Sequence, residues 1–296
     1  MGELRDTAAR LAGGVAAAGA AAAAYMVYEA QAVQCRRADL TVPGLPPAWS
    51  GVTVLHLSDV HAGLFPTNER SLAKVVRWAE VLGPDLVVLT GDILGDPQRS
   101  RSCLDLLGRL QPPLGMFAVT GNHEYGLGKG PLARARDVSA LWEQAGICLL
   151  RDRCVTLPPR RGTTLALCGA DYLSGGFGLR PPPATWAETA APRAAEPAST
   201  PAPPVAFPIL LIHEPPPSEG ALAALFPLVF AGHTHGGQLR VPRAGGLAPL
   251  HREEGQPPAG VHPWGLGSLV VSRGIGTSFV PFRLLTRPEA TLWRLV

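Results

Sequence analysis

Val52-Thr53-Val54-Leu55-His56-Leu57-Ser58-Asp59-Val60-His61 is the stretch on which the fold reading turns. It begins as an apolar, β-branched run and ends in two metal-ligand side chains, so it reads as a strand that stops at a site. In extended backbone, residues two apart point the same way, and Asp59 and His61 are therefore expected to face one point. The pattern recurs along the chain. Residues 85–90 run into Gly91-Asp92, and residues 115–120 into Gly121-Asn122-His123-Glu124. Residues 207–212 run into His213, and residues 228–231 into Gly232-His233-Thr234-His235, a second pair at spacing two. Five of the eight histidines fall in these motifs, which sets them apart from scattered core or surface histidines. His56 lies on the opposite strand face and reads as core, while His251 and His262 read as exposed loop residues.

Between these strands the apolar period changes. Residues 68–82 place Leu72, Val75, Val76 and Ala79 on one helical face and stop at Gly83-Pro84. Residues 101–110 and 138–145 read as two further helices. The second half is richer in short apolar runs, at 154–157, 164–169, 238–241, 269–272 and 290–295. The expectation is an α/β domain of two packed sheets with helices outside. Open α/β sheets bind ligands beyond the carboxyl ends of their strands, where loops from distant parts of the sequence converge. Residues 39–47 read as an extended lead-in. The Pro/Ala-rich residues 180–204 read as a disordered insertion, and residues 255–263 as a second flexible loop.

A net charge of +3 on 296 residues is too small for a nucleic-acid field, so no nucleic-acid partner is expected. Residues 11–28 carry no charge and are dominated by Ala, Gly and Val. They are expected to be an uncleaved N-terminal membrane span within a segment 1–38, ahead of a catalytic domain 39–296. Ala30-Gln31-Ala32 resembles a cleavage site, which leaves a secreted form after signal removal as the alternative, and a soluble Ala-rich helix as a third. None of the five cysteines forms a C-x-x-C pair, which argues against a structural zinc site. Cys148 and Cys154 are close enough in sequence to pair in an oxidising compartment, with free thiols as the plainer reading.

Asp, Asn and His form an oxygen and nitrogen ligand set for hard to borderline ions such as Mn, Fe, Zn or Ni. The seven candidates, Asp59, His61, Asp92, Asn122, His213, His233 and His235, exceed the needs of one ion and suit two divalent metal ions sharing a carboxylate. Two such ions clamp the attacking and leaving oxygens of a displacement at phosphorus and make hydroxide available near neutral pH. His123 is placed to give a proton to the departing oxygen. Gly91, Gly121 and Gly232 precede ligands where a tight turn or close backbone approach is expected. Arg273 and Arg283 are candidates for substrate contact or loop bracing, Lys129, Arg134 and Arg136 for a charged rim, and Glu124 for anchoring its loop. Residues 63–67 and 126–136 are the loops expected to set specificity.

D-x-H, G-D, G-N-H-E, a lone His after a strand and G-H-T-H, in this order over residues 52–296, resemble the calcineurin-like metallophosphoesterase superfamily. The Gly232–Gln238 stretch and the tail Ser272-Arg-Gly-Ile-Gly-Thr-Ser278 resemble its bacterial YkuE/YaeI-like branch, which often begins with a membrane segment. The resemblance implies a four-layer α/β/β/α sandwich. It implies that Asp59, His61, Asp92 and His235 hold one ion and that Asp92, Asn122, His213 and His233 hold the other, with Asp92 bridging and His123 catalytic. It implies hydrolysis of a phosphodiester or phosphomonoester by metal-bound hydroxide. The alternatives are a membrane-associated pyrophosphatase acting on a lipid-linked nucleotide sugar of the UDP-2,3-diacylglucosamine type, and a metal-binding scaffold without catalysis. Residues 93–95, Ile-Leu-Gly, lack the Tyr that purple acid phosphatases place there.

Overall fold

The computed structural model describes residues 2–96, 100–127, 139–175, 206–216, 221–243, 246–250 and 256–296. Two six-stranded mixed sheets lie face to face. The first holds β1 (Gln34–Leu40), β2 (Thr53–Leu57), β3 (Leu86–Thr90), β4 (Met116–Val119), β5 (Ile147–Leu149) and β14 (Glu289–Leu295), in the order β1-β14-β2-β3-β4-β5. The second holds β6 (Arg153–Thr156), β7 (Leu165–Gly169), β8 (Phe207–Leu211), β9 (Leu228–Ala231), β12 (Gly260–Trp264) and β13 (Gly267–Val271), in the order β12-β13-β9-β8-β7-β6. β10 (Arg240–Arg243) and β11 (Gly246–Pro249) make a separate antiparallel hairpin. β2 to β5 are parallel to one another, and so are β7, β8, β9 and β13.

Alternation along the strands builds the layers. Val54, Val88 and Val119 point between the sheets and meet Ile209, Leu211, Phe230 and Val270. Their neighbours Leu55, Leu57, Val87 and Leu89 point outward, onto Leu72, Val75, Val76 and Ala79 of α2 (Pro66–Leu82) and onto Leu104 and Leu107 of α3 (Arg101–Leu107). α2 opens with Pro66 at its first position and closes at Gly83, whose left-handed backbone (φ 58°) returns its N–H to Ala79. The outer face of the second sheet, with Leu210, Ile212, Val229 and Leu269, is covered by Phe226, Trp264 and the short helix Ala221–Leu225. The expected α/β/β/α layering is therefore present, and α4 (Ser139–Gln144) and α5 (Tyr172–Gly175) complete the described helices around it.

Several elements were not expected. α1 runs over Gly2–Glu29, and the chain then enters β1, which pairs in parallel with β14. The first sheet thus begins at Gln34, ahead of the extended lead-in read at 39–47. β1 is an edge strand carrying Arg36 and Arg37 on exposed positions, so it lacks the apolar run that marks a central strand. Residues 260–264 form β12, an edge strand antiparallel to β13, which corrects the flexible-loop reading of 255–263 for that part. The insertion 180–204, His251 and the cations Lys129, Arg134 and Arg136 lie outside the described residues.

The proposed pairing of Cys148 with Cys154 is also corrected. Cys154 and Cys168 are register partners across β6 and β7 and form a disulfide. Cys148 sits on β5, in the other sheet, where Arg153 donates to its sulfur at 3.4 Å. Unfolding the unreduced protein should expose three titratable thiols, Cys35, Cys103 and Cys148, rising to five after reduction. Five thiols before reduction would show that the β6–β7 bridge is absent.

Candidate metal centre

Each sequence-predicted ligand stands just past the carboxyl end of a parallel strand: Asp59 and His61 after β2, Asp92 after β3, Asn122 after β4, His213 after β8, and His233 and His235 after β9. Both sheets run in the same direction here, so all seven residues arrive at one end of the sandwich. The extended backbone expected at Asp59 and His61 is not what aims them. Asp59 (φ 50°), His61 (φ 50°), Asp92 (φ 53°), His233 (φ 68°) and His235 (φ 49°) are all left-handed. Such backbone costs on the order of 1–3 kcal/mol per residue and persists only where surrounding bonds hold it. Here Asp59 N–H donates to Gly91 O at 3.1 Å and His61 N–H to Asp92 O at 2.9 Å, which ties the two loops together.

The glycines before the ligands serve close approach, as expected. A Cβ on Gly121 would enter the Asp92 carboxylate, and one on Gly232 would enter the Ser58 hydroxyl.

The side chains form two groups that share Asp92. In the first, His61 Nε2 faces His235 Nε2 at 2.9 Å, His235 Nε2 lies 3.5 Å from Asp59 Oδ1, and His61 Nε2 lies 3.7 Å from Asp92 Oδ2. In the second, His213 Nε2 lies 3.4 Å from Asp92 Oδ2, 3.2 Å from Asn122 Oδ1 and 3.1 Å from His233 Nδ1. His123 Nε2 reaches to 3.9 Å of Asp92 Oδ2 and stacks edge-on to His61, but its ring is partly open to solvent. Asp59, His61 and His235, and separately Asp92, His213 and His233, bring one donor atom each within 4.8 Å of one another.

The chemistry of this donor set fits cations. His213 Nδ1 lies 2.7 Å from Thr90 O, an acceptor, so this nitrogen carries a proton and Nε2 is the nitrogen presented to Asp92, Asn122 and an incoming ion. His233 Nε2 lies 3.3 Å from Glu214 Oε1, which turns Nδ1 toward His213. Ring nitrogens brought this close, His61 to His235 at 2.9 Å and His213 to His233 at 3.1 Å, are what bound metal ions would hold together. Without ions the electrostatics are polarised. Burial lowers His61 and His235 well below the usual imidazole range, and neighbouring imidazoles and Arg283 add to it. Burial opposes ionisation of Asp92, but His213, His123 and His61 outweigh it and hold its carboxyl well below the carboxylate range. Burial acts against the charge on His213 too, and Asp92 and Asp59 overcome it, raising it to about 10.

Four supporting residues escaped the sequence reading or were read only as loop anchors. Glu124 is buried, and its carboxylate accepts the N–H groups of Asp92, Ile93, Leu94 and Gly121 at 2.8–2.9 Å. That bears out the anchoring expectation, and burial pushes this carboxyl up to about 7. Ser58 Oγ donates to Asp59 Oδ2 at 2.5 Å. Asn68 donates to His61 O at 3.1 Å and to Thr277 O at 3.0 Å, and accepts the Thr277 N–H. Through it α2 holds both the D-x-H loop and the tail motif. Glu214 orients His233; its position directly after His213 was the available signal.

Of the two arginine candidates, Arg283 is fully buried and donates to the carbonyls of His235, Arg273, Gly274, Gly276 and Thr286. It braces loops and does not meet substrate. Arg273 pairs with Glu289 at 3.2 Å and reaches Gln34.

A two-sheet sandwich with Asp, Asn and His clustered beyond its parallel strands is the framework of a metal-dependent phosphoester hydrolase. The calcineurin-like phosphoesterase profile matches residues 52–237, and the chain belongs to that family. It is 28% identical over 260 residues to the metallophosphoesterase YkuE of Bacillus subtilis, covering 85% of this chain and 81% of YkuE. It is 30% identical over 256 residues to the phosphodiesterase YaeI of Escherichia coli, covering 82% of each. A shorter match, 31% over 99 residues, covers 33% of this chain and 30% of the UDP-2,3-diacylglucosamine pyrophosphatase LpxG of Chlamydia muridarum.

Replacing Glu124 by Ala leaves four backbone donors around Asp92 without their acceptor. Urea unfolding should show a loss of about 3 kcal/mol or more, because each buried unsatisfied donor costs about 1–3 kcal/mol. Glu214→Gln should instead leave stability nearly intact and weaken metal binding about 10–100-fold in a competition titration. Equal effects of the two variants on both measurements would contradict the roles assigned to them.

Proposed function

We propose that this chain is a membrane-anchored, dinuclear-metal phosphoesterase acting on a phosphodiester or phosphomonoester. The observation that carries the reading is Asp92 Oδ2, which faces an imidazole of each group at 3.4–3.7 Å and so would serve two ions. Asp59, His61, Asp92 and His235 would hold one; Asp92, Asn122, His213 and His233 would hold the other. Two divalent ions bound there supply a hydrolytic nucleophile near neutral pH and charge stabilisation at phosphorus. Only Asp59 and Asp92 among the seven ligands carry negative charge, so the loaded site stays cationic and favours an anionic ester. His123, turned toward solvent beside Asp92, gives its proton to the departing oxygen.

The membrane part of the reading rests on α1. Ala9–Glu29 is long and apolar enough to span a bilayer, and the apolar 18-residue window within it has no buried residue. Its last residues favour retention over cleavage. Glu29 is buried, and its carboxylate accepts the N–H groups of Leu285 at 2.9 Å and Thr286 at 2.8 Å. Cutting at Ala30-Gln31-Ala32 would remove both bonds. The Cys154–Cys168 bridge favours an oxidising compartment for the catalytic domain.

A second reading, a pyrophosphatase of a lipid-linked nucleotide sugar, draws on the LpxG match. It is the weaker one, because that match covers only 33% of this chain and 30% of LpxG.

The test is hydrolysis of bis-p-nitrophenyl phosphate by detergent-solubilised full-length protein loaded with Mn²⁺, alongside metal analysis. Turnover with two ions per chain is expected. Tight binding of metal without turnover on a broad phosphoester panel would favour a scaffold instead. His123→Ala should lower turnover about 10²–10⁴-fold while metal content is retained, and unchanged turnover would remove His123 from the proton-donor role.

A further inference from the structure

We propose that the end of the sandwich carrying the metal centre lies against the bilayer, seated through residues 278–286 and the β10–β11 hairpin on an anionic phospholipid surface; this rests on the reading of α1 as a membrane span.

The topology sets the direction. β14 is antiparallel to β2, so β14 begins at the end of the sheet where β2 stops and where Asp59 and His61 stand. β1 is parallel to β14 and begins at the same end. The chain therefore comes out of α1 at the metal-centre end of the domain. It does so without a linker: Glu29 and Ala30 are already buried.

The depth follows from helix geometry. The apolar span Ala9–Glu29 is 21 residues, which at about 1.5 Å per residue roughly equals the 30 Å hydrocarbon thickness. All of it is needed to cross. Yet Arg283 N–H donates to the Met26 carbonyl at 3.2 Å, inside that span, and Leu285 and Thr286 bond to Glu29 at its end. Residues 283–286 are thereby held at the level of the last helical turn, which is the level of the lipid headgroups. Tyr25 and Tyr28, both exposed on that turn, suit the same boundary.

The surface at this level is apolar and basic. Phe279 is 65% exposed, and Leu285 of the same segment is exposed too. Gln238 fixes the segment, accepting the Ser278 N–H and donating to Ser278 O and Val280 O. Arg240 N–H bonds to Leu284 O at 2.9 Å, so the hairpin lies alongside, and it exposes Leu247 and, just after it, Leu250. Arg243 on the hairpin and Lys74, whose ammonium donates to Gln31 O at 2.7 Å just past α1, supply positive charge. Aromatic and leucine side chains interleaved with Arg and Lys match an anionic bilayer interface. This segment reaches the metal centre directly: its Arg283 donates to His235 O at 3.2 Å.

Nitroxide labels test the arrangement in the full-length protein, reconstituted into phosphatidylethanolamine/phosphatidylglycerol vesicles. Cys35→Ser and Cys148→Ser remove the accessible free thiols. Labels then go onto Val15→Cys in α1, Phe279→Cys, Leu247→Cys and Leu266→Cys, the last on the β12–β13 turn at the opposite end of the second sheet. Relative accessibility to oxygen and to a water-soluble nickel chelate reports depth. Labels at 15, 279 and 247 are expected to be lipid-like, with 279 and 247 shallower than 15, and the label at 266 water-like. Water-like labels at 279 or 247 beside a lipid-like label at 15 would overturn the proposal and leave the span reading intact. A water-like label at 15 would overturn both. Leu285→Cys gives the same readout if the 279 variant does not fold.

Discussion

Asp92 is shut away from water among the imidazoles of His61, His123 and His213. Moving a carboxylate into such a place costs several kcal/mol even after the protein relaxes, and that cost is recovered only through well-placed partners. The surroundings supply them in two directions. Oδ1 accepts the His123 N–H at 2.8 Å, while Oδ2 is left to the ring nitrogens and to whatever cations they hold. A carboxylate fixed by one oxygen and open at the other is suited to bridging. The left-handed backbone at five ligand positions, the glycines that admit neighbouring loops and the four N–H groups gathered by Glu124 all serve to hold that oxygen in place.

The supporting residues are themselves held by the packing beneath them. Asn68 lies in the first turn of α2, so the burial of Leu72, Val75 and Val76 under the first sheet positions the amide that holds His61 O and the tail loop. The tail motif in turn backs onto Asp59: Gly276 N–H donates to Asp59 O at 2.8 Å, and a Cβ on Gly274 would strike the Asp59 side chain. Core packing and site geometry are one continuous set of contacts here, which is why loop bracing, and not substrate binding, accounts for the buried Arg283.

Much of this was legible in the sequence because two signals coincided. Central strands buried on both faces leave continuous apolar runs, and each such run ended in a ligand. That was enough to place β2, β3, β4, β8 and β9 and to name all seven candidate ligands with His123. What escaped were elements with only one buried side. β1 and β12 lie at sheet edges, where the exposed charges of β1 and the Gly260 and Pro263 of β12 mask the period of two. The disulfide was misassigned because nearness in sequence says little about register, and Cys168 faces Cys154 only once β6 and β7 have paired. The left-handed backbone was hidden for another reason: Asp and His tolerate it without a sequence signature, whereas glycine announces it.

The candidate ligands all follow strands, and this would tie metal affinity to strand alignment. A slip of two residues in any one of those strands preserves which side chains face the core, so the hydrophobic pattern alone penalises it weakly. It would nevertheless move the attached ligand by about 6–7 Å along the strand axis, farther than the 4.8 Å within which each donor group now lies. Ions that bind only the aligned arrangement stabilise it over its shifted competitors by mass action. A loaded metal centre would therefore act as a gauge of registration for both sheets at once, rewarding a chain in which every contributing strand has stopped at its proper residue.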